Sequence, residues 1–248
     1  MSLQPQAGSR LATCRPDDPI VHPRKLAPRY CRPMRKLLIS SGFALILGAS
    51  AALTAAPQGS PWEIGPIIRG KNYSVGMPLR PAPTRSGWFF DFPVGSREAG
   101  HVHYVTFDPG RLSEASQIVV RYRVDAAPGT RFVPQEKPNR AGTVSLFLQR
   151  RGDNWSARGQ YRYFRWYAPS HSVREITPGV HEMAVRLDDP EWIAVVGGQR
   201  AGDHPEAFRA ALAQAGRAGL VFGSSSARGH GVFATAPARF ELLSFRIE

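Results

Sequence analysis

Cysteine is almost missing from this sequence. The chain has 248 residues and two cysteines, Cys14 and Cys31, with none after Cys31. Residues 57–248 therefore cannot form a disulfide, a thiolate zinc site or a cysteine nucleophile. A body of about 200 residues does not depend on such staples, because it buries about 70% of its extended surface. Lysine is also scarce, while arginine, alanine, glycine and proline are plentiful, as in a high-GC bacterial genome.

No apolar run is long enough to cross a bilayer, which takes about 20 residues. The longest, Leu37 to Leu47, is short and interrupted by Ser40, Ser41 and Gly42. Met34, Arg35 and Lys36 precede it, and Ala49-Ser50-Ala51 and Leu53-Thr54-Ala55 follow. A basic start, a short apolar core and small residues make a secretory signal peptide, expected over 34–56. Residues 1–33 are Pro-rich and basic without apolar periodicity, a composition expected not to fold alone. They read as an upstream extension, and Met34 as the true start. Residues 57–248 are then one exported domain, periplasmic or extracellular, with no membrane span after signal cleavage.

Charge of one sign does not form blocks. The whole chain is at +13, but residues 57–248 carry 24 Lys+Arg against 17 Asp+Glu, a net of +7, interspersed. This pattern and the compartment argue against nucleic acid as a partner. A mild positive surface suits acidic polysaccharide or anionic headgroups, and also fits a solvated arginine-rich face.

There is no strand–helix alternation and no repeat, so a parallel α/β sheet is not expected. What is present is a series of short segments rich in aromatic and β-branched residues: 101–107, 116–125, 142–150, 159–168, 180–187, 191–197, 219–223, 231–235 and 238–248. Turn signals such as Asp108-Pro109-Gly110, Ala127-Pro128-Gly129 and Thr177-Pro178-Gly179 separate them. These are strands of an all-β chain. The segment from Trp62 is extended but interrupted by Pro and Gly, as an edge strand would be. One helix is expected near 205–216, opening on Pro205, stopping at Gly216 or Gly219, and burying Phe208, Leu212 and Ala215. The fold class is a two-sheet antiparallel β-sandwich of jelly-roll type with this one short helix.

The segment "GQYRYFRWYAP", 159–169, packs five aromatic residues and two arginines into eleven positions. Read as a strand, it places Gln160, Arg162, Phe164 and Trp166 on one face and Tyr161, Tyr163, Arg165 and Tyr167 on the other. Phe164 and Trp166 are the better core candidates. Tyrosine pairs a flat apolar ring with a hydroxyl, which suits a surface that meets sugars. Tyr161, Tyr163, Arg165 and Tyr167, with Trp155 from the preceding hairpin, are the candidate ligand-binding residues. The same alternation also fits plain cross-strand pairing on a sheet. Ser145, Phe147 and Gln149 share one face of the neighbouring strand, and the hairpin offers Arg150, Arg151, Asp153 and Asn154.

Other chemistry finds less support. His101 and His103 are spaced to face the same way on a strand, and His230, Glu98 or Asp108 would supply a third ligand. No H-E-x-x-H helix accompanies them, and no metal is assigned. The Gly- and Ser-rich loop around 221–233 lacks the lysine and helix of a phosphate cradle and the strand-to-helix elbow of serine hydrolases. Asp91, Glu175 and Glu182 are carboxylates that spacing cannot pair for glycoside hydrolysis. His101 or His103 with Tyr163 and Arg165 would suit a β-elimination on a uronic acid. No motif selects that trio, and no cofactor or catalytic residue is assigned.

The final strand has the form A-x-F-x-L-x-x-F-x-I, filled by Ala238, Phe240, Leu242, Phe245 and Ile247. With the segment from Asp188 onward, it resembles secreted bacterial jelly-roll sandwiches related to carbohydrate-binding modules. That resemblance covers 188–248 and implies a sandwich with a glycan partner. Many such modules carry a structural calcium, but no Asp-rich loop marks one here. The expected function is carbohydrate binding without catalysis, with an oligo- or polysaccharide, including an acidic one, as partner. The alternatives are a polysaccharide lyase or hydrolase on the same scaffold, or a periplasmic structural or assembly protein.

Overall fold

In the segment 117–126, Ile118, Val120, Tyr122 and Val124 alternate with Arg121, Arg123 and Asp125. Period two puts the first set on one face of a strand. That set is buried, and the charged set is exposed. The same rule organises most of the computed structural model, which describes residues 62–248. The expected signal peptide and upstream extension lie outside the described residues.

In chain order the strands are β1 (Glu63–Gly65), β2 (Ile67–Ile68), β3 (Lys71–Asn72), β4 (Ala82–Pro83), β5 (Trp88–Asp91), β6 (Tyr104–Phe107), β7 (Gln117–Ala126) and β8 (Phe132–Pro134). There follow β9 (Thr143–Arg150), β10 (Arg165–Tyr167), β11 (Arg174–Glu175), β12 (Gly179–Arg186), β13 (Ile193–Ala194), the helix α1 (Pro205–Ala213), β14 (Ala215–Gly223), β15 (Val232–Ala234) and β16 (Ala238–Ile247). A seven-stranded sheet runs β1-β6-β14-β9-β10-β13, with β11 also on β9, and a five-stranded sheet runs β12-β7-β16-β5-β4. Two short pairs, β8 with β15 and β2 with β3, complete the set. All these ladders are antiparallel.

The chain is an all-β sandwich, and aromatic rings hold its two sheets together. Phe90 of β5 meets Phe222 of β14 edge-on at 5.5 Å between centroids, and Phe107 of β6 meets Phe245 of β16 at 5.3 Å. Trp62, just before β1, lies 5.0 Å from Trp88. Edge-to-face pairs of this kind add about 0.5–1.5 kcal/mol each beyond the area they bury. Strand β5 was not anticipated, although "WFFD" alternates cleanly. Trp88 and Phe90 point into the core, and Phe89 lies outside beneath the Arg239 guanidinium, 3.8 Å from its ring centroid.

The helix is shorter than expected. It starts on Pro205, buries Phe208, Ala211 and Leu212, and ends at Ala213. Ala215 is buried as anticipated, but it already belongs to β14 and pairs with Arg150. Sheet pairing, and not a glycine stop, therefore ends the helix. The expected strand 191–197 shrinks to Ile193–Ala194.

The largest correction falls on 159–168. Only Arg165–Tyr167 is strand, and Gly159–Tyr163 is a 3-10 turn. A strand needs a partner. The neighbouring β9 ends at Arg150, whose N–H already reaches the Phe164 carbonyl. Gly159 then takes φ +54 and bends the chain away. Trp166 is fully buried, as expected, with its ring 5.0 Å from that of Phe208. Phe164 is only half-buried, under the Arg150 guanidinium at 4.6 Å. Trp166→Ala should destabilise by about 3–5 kcal/mol in urea melts, as large core truncations do. Tyr161→Ala, at a half-buried ring on the turn, should cost clearly less.

Candidate functional site

The seven-stranded sheet has an outer face whose residues follow from register. Arg217 of β14, Gln149 of β9 and Arg165 of β10 lie in one row across three strands. Glu63, Thr106, Gly219, Phe147 and Tyr167 lie in the next. Tyr104, Phe147, Tyr167 and Val221 form a buried cluster separate from the main core, with Trp155, Ile193 and Val195 packed against it. A sheet face expected to meet water is instead covered, at one end by the Trp155 hairpin and at the other by the 224–231 loop.

That loop closes tightly over the tyrosines. The Tyr104 hydroxyl lies 2.8 Å from that of Tyr167, which donates to the Arg228 carbonyl at 2.7 Å. Gly229 has φ +74, and a Cβ there would sit 2.3 Å from the Tyr104 hydroxyl, so no side chain fits. Burial raises both phenols above their ordinary range, so they stay protonated and act as hydrogen-bond groups, not bases.

The hairpin is anchored from below. Arg165 is 8% exposed. Its Nε lies 3.0 Å from Asp153 Oδ2 in an ion pair without hydrogen-bond geometry, and its Nη2 donates to the Trp155 carbonyl at 2.9 Å. Its Cζ stands 4.9 Å from the Trp155 ring centroid. Gln149 Nε2 donates to the same Asp153 oxygen at 2.8 Å. The Asp153 side chain is 0% exposed. Two acceptors remain, Gln149 Oε1 and Asp153 Oδ1, both buried and without a hydrogen-bond donor among the described residues. Trp155 takes φ +66, a conformation rare for a bulky side chain.

Beside this network opens a groove of about 470 Å³, within the ordinary range for ligand sites. Gln149, Asp153 and Trp155 line it, with Arg150 and Arg151 and, from across the sheet, Glu63 and Arg217. Arg217 Nη2 pairs with Glu63 at 3.0 Å, and Arg151 Nη2 with Asp108 at 2.7 Å. A smaller pocket of about 40 Å³ shares Glu63, Trp155 and Arg217 and reaches Tyr104, Thr106 and Phe147.

Of the five candidate ligand-binding residues, three come together. Trp155, Arg165 and Tyr167 belong to this face, though Arg165 is engaged in holding the hairpin and Tyr167 is 7% exposed. Tyr161 and Tyr163 do not join them, because the 3-10 turn takes them off the sheet. Tyr161 packs edge-on to Phe164 at 5.1 Å. Tyr163 stacks on Trp166 at 6.0 Å, and its hydroxyl meets His204 Nε2 at 3.1 Å. The open tyrosine platform is therefore not formed. Gln149 and Asp153 were visible as neighbours in the sequence. Glu63 and Arg217 were not, because only register brings them across the sheet.

The histidines have separate surroundings. The rings of His101 and His103 lie 4.6 Å apart, with their Nδ1 atoms on the carbonyls of Arg97 and Gly229. His230 Nδ1 pairs with Glu136 at 2.6 Å. No group of three His, Cys, Asp or Glu is placed to hold a metal among the described residues. The trio suggested for β-elimination is not assembled, since His103, Tyr163 and Arg165 each have different partners. Compared with known protein families, curated proteins and solved structures, the chain matches none.

Two outcomes follow for stability. Arg165→Met leaves the buried Asp153 carboxylate uncompensated and should cost about 3–5 kcal/mol, while adding Asp153→Asn should recover part of that loss. Burial pushes His103 down from 6.5 to about 4. The unfolded chain then binds a proton between those values that the folded one refuses, so stability is full above about pH 6.5 and falls toward pH 4. Urea midpoints across that window should drop by the equivalent of about 3 kcal/mol. In His103→Gln the drop should be much smaller.

Proposed function

We propose that this is an exported protein that binds carbohydrate in the groove beside Trp155 and does not turn it over. The observation that carries the reading is the pair of buried acceptors, Gln149 Oε1 and Asp153 Oδ1, on residues lining a polar groove. An unmade buried hydrogen bond costs about 1–3 kcal/mol. Sugar hydroxyls are donors that supply it, once the groove wall shifts to admit them. Trp155 supports the reading from the rim. It is half-buried, its ring lies beside the groove, and its backbone is held at φ +66. Strain of that kind persists only where surrounding structure enforces it, and it concentrates at ligand sites.

The scaffold fits the same reading. From β5 to β16 the long strands largely alternate between sheets, in the orders β12-β7-β16-β5 and β6-β14-β9-β10. That alternation supports the jelly-roll form. The likeness of 188–248 to carbohydrate-binding sandwiches and the signal-like segment at 34–56 belong to this proposal. Each carboxylate lining the groove is engaged by an arginine: Glu63 by Arg217, Asp108 by Arg151 and Asp153 by Arg165. No free pair of carboxylates stands across it for hydrolysis, which favours binding over catalysis.

An array of neutral and acidic oligosaccharides, followed by calorimetry on the hits, tests the reading. Trp155→Gly removes the ring and relieves the backbone together, and it should weaken a verified ligand about fivefold or more, as loss of a contacting Trp does. Tyr161→Ala, away from the groove, should leave binding unchanged. Mass spectrometry after long incubation should find the oligosaccharide intact. Equal affinity of wild type and Trp155→Gly would place the ligand elsewhere.

A further inference from the structure

We propose that the segment 69–80, from the tip of the β2–β3 hairpin onward, docks on an anionic lipid surface. Tyr73, Val75 and Leu79 enter the headgroup layer, and Arg69, Lys71 and Arg80 meet lipid phosphates. The proposal is independent of the carbohydrate reading.

The observation behind it is a strand facing the wrong way. From Lys71 to Val75 the side chains alternate, as strand geometry requires. The polar pair turns inward. Asn72 Nδ2 donates to the Ile64 carbonyl at 2.9 Å, and Ser74 Oγ donates to that of Gly65. Lys71, Tyr73 and Val75 turn outward and are exposed. Lys71 Nζ stands 5.2 Å from the Tyr73 ring centroid, so these two share a face. In β7 the same alternation buries the apolar set and exposes the charged one, and here it is reversed. Leu79, 61% exposed, joins the same corner of the molecule. Its carbonyl accepts from the Ile64 N–H, while the Tyr73 N–H donates to the Pro66 carbonyl, so 64–66 lies between them. Of the seven large apolar residues exposed among the described residues, four fall between 67 and 79. Such a concentration marks a contact surface, where scattered single residues would not. Ile67, the fourth, lines the small pocket with Trp155 instead.

The charge around this patch has one sign. Between Ile64 and Phe90 the chain holds three arginines and one lysine, and neither Asp nor Glu. Arg69, Lys71 and Arg80 are exposed, and no ion pair engages them among the described residues. The carboxylates flanking the segment in sequence, Glu63 and Asp91, are taken by Arg217 and Arg239. Glu98, in the stretch that leads to His101 beside Val75, is taken by Arg97. A soluble acidic chain would meet the cations and leave the apolar side chains in water. A bilayer with anionic headgroups takes both, since interfacial binding sums buried apolar area and electrostatic attraction. A tyrosine ring and hydroxyl suit that boundary, and long cationic side chains reach the phosphates along their apolar stems.

Amide hydrogen exchange on the full chain, with and without vesicles, tests this, because it reads the segment itself and not the apolar run at 37–47. With vesicles of phosphatidylglycerol and phosphatidylcholine, exchange across 66–80 should slow about fivefold or more. Exchange in β12, an edge strand of the other sheet, should not change. Phosphatidylcholine alone, or added salt, should largely remove the effect. Val75→Asp combined with Leu79→Asp should abolish it. Lys71→Gln combined with Arg80→Gln should leave only what phosphatidylcholine alone produces. All four side chains are exposed, so circular dichroism should show both variants folded. No slowing, or slowing that survives Val75→Asp with Leu79→Asp, overturns the proposal. Equal slowing by neutral and anionic vesicles overturns the choice of an anionic surface. A dimer in sedimentation velocity without lipid, dissociated by the same double variant, would assign the face to a second copy and overturn the lipid reading.

Discussion

A guanidinium almost out of water needs partners on every side, and Arg165 shows how strongly that need shapes this molecule. It stands on the outer face of a sheet, where an arginine would ordinarily reach into solvent. Here the 151–157 hairpin folds over it and brings a carboxylate, a carbonyl and an indole ring to meet it. Each of these contacts constrains the hairpin as much as it satisfies the charge. Asp153 is drawn fully inside, Trp155 is held in an uncommon backbone conformation, and Gln149 is turned toward the same carboxylate. The groove is the space left beside this arrangement. Its shape follows from the solvation of one charge.

The opposite end of the same face is closed by different means. The hydroxyls of Tyr104 and Tyr167 meet, and the loop through Arg228 and Gly229 lies on them. Arg228 donates to the Ala168 carbonyl and to Ser170, so a second guanidinium ties this loop to the segment after β10. One sheet face therefore has a dry half, built on aromatic rings and tight glycines, and a wet half, built on paired charges. The boundary between them is Trp155, which touches both Tyr104 and Arg165.

Most of the sandwich was legible in the sequence because period two is a strong signal wherever one face is buried and the other is not. Strands β7 and β12 show it directly, and the boundaries of β7, β9, β12 and β16 fall within a residue or two of expectation. The segment 159–163 misled because its aromatic content suits a strand, while strand formation there depended on whether β9 extended far enough to pair with it. That is a property of the neighbour and cannot be seen in the segment. The site was legible in part for the same reason. Trp155, Asp153 and Gln149 lie close in sequence, whereas Glu63 and Arg217 reach the groove only through the ladders β1-β6-β14-β9. Arg165 was picked out as a ligand group from its type and place, but burial gave it another task.

The order of strands also bears on how the chain comes to be folded. In the seven-stranded sheet β14 sits between β6 and β9, and in the five-stranded sheet β16 sits between β7 and β5. Each of these central strands lies later in the chain than both strands it joins. Until residues 215–247 have left the ribosome, each sheet is two parts without a middle, and three of those parts, β1-β6, β12-β7 and β5-β4, are two-stranded pairs that are marginal alone. Pairing over such separations makes folding slow. Completion of the sandwich is therefore a late event, set by the arrival of the strand that lies in the middle of each sheet.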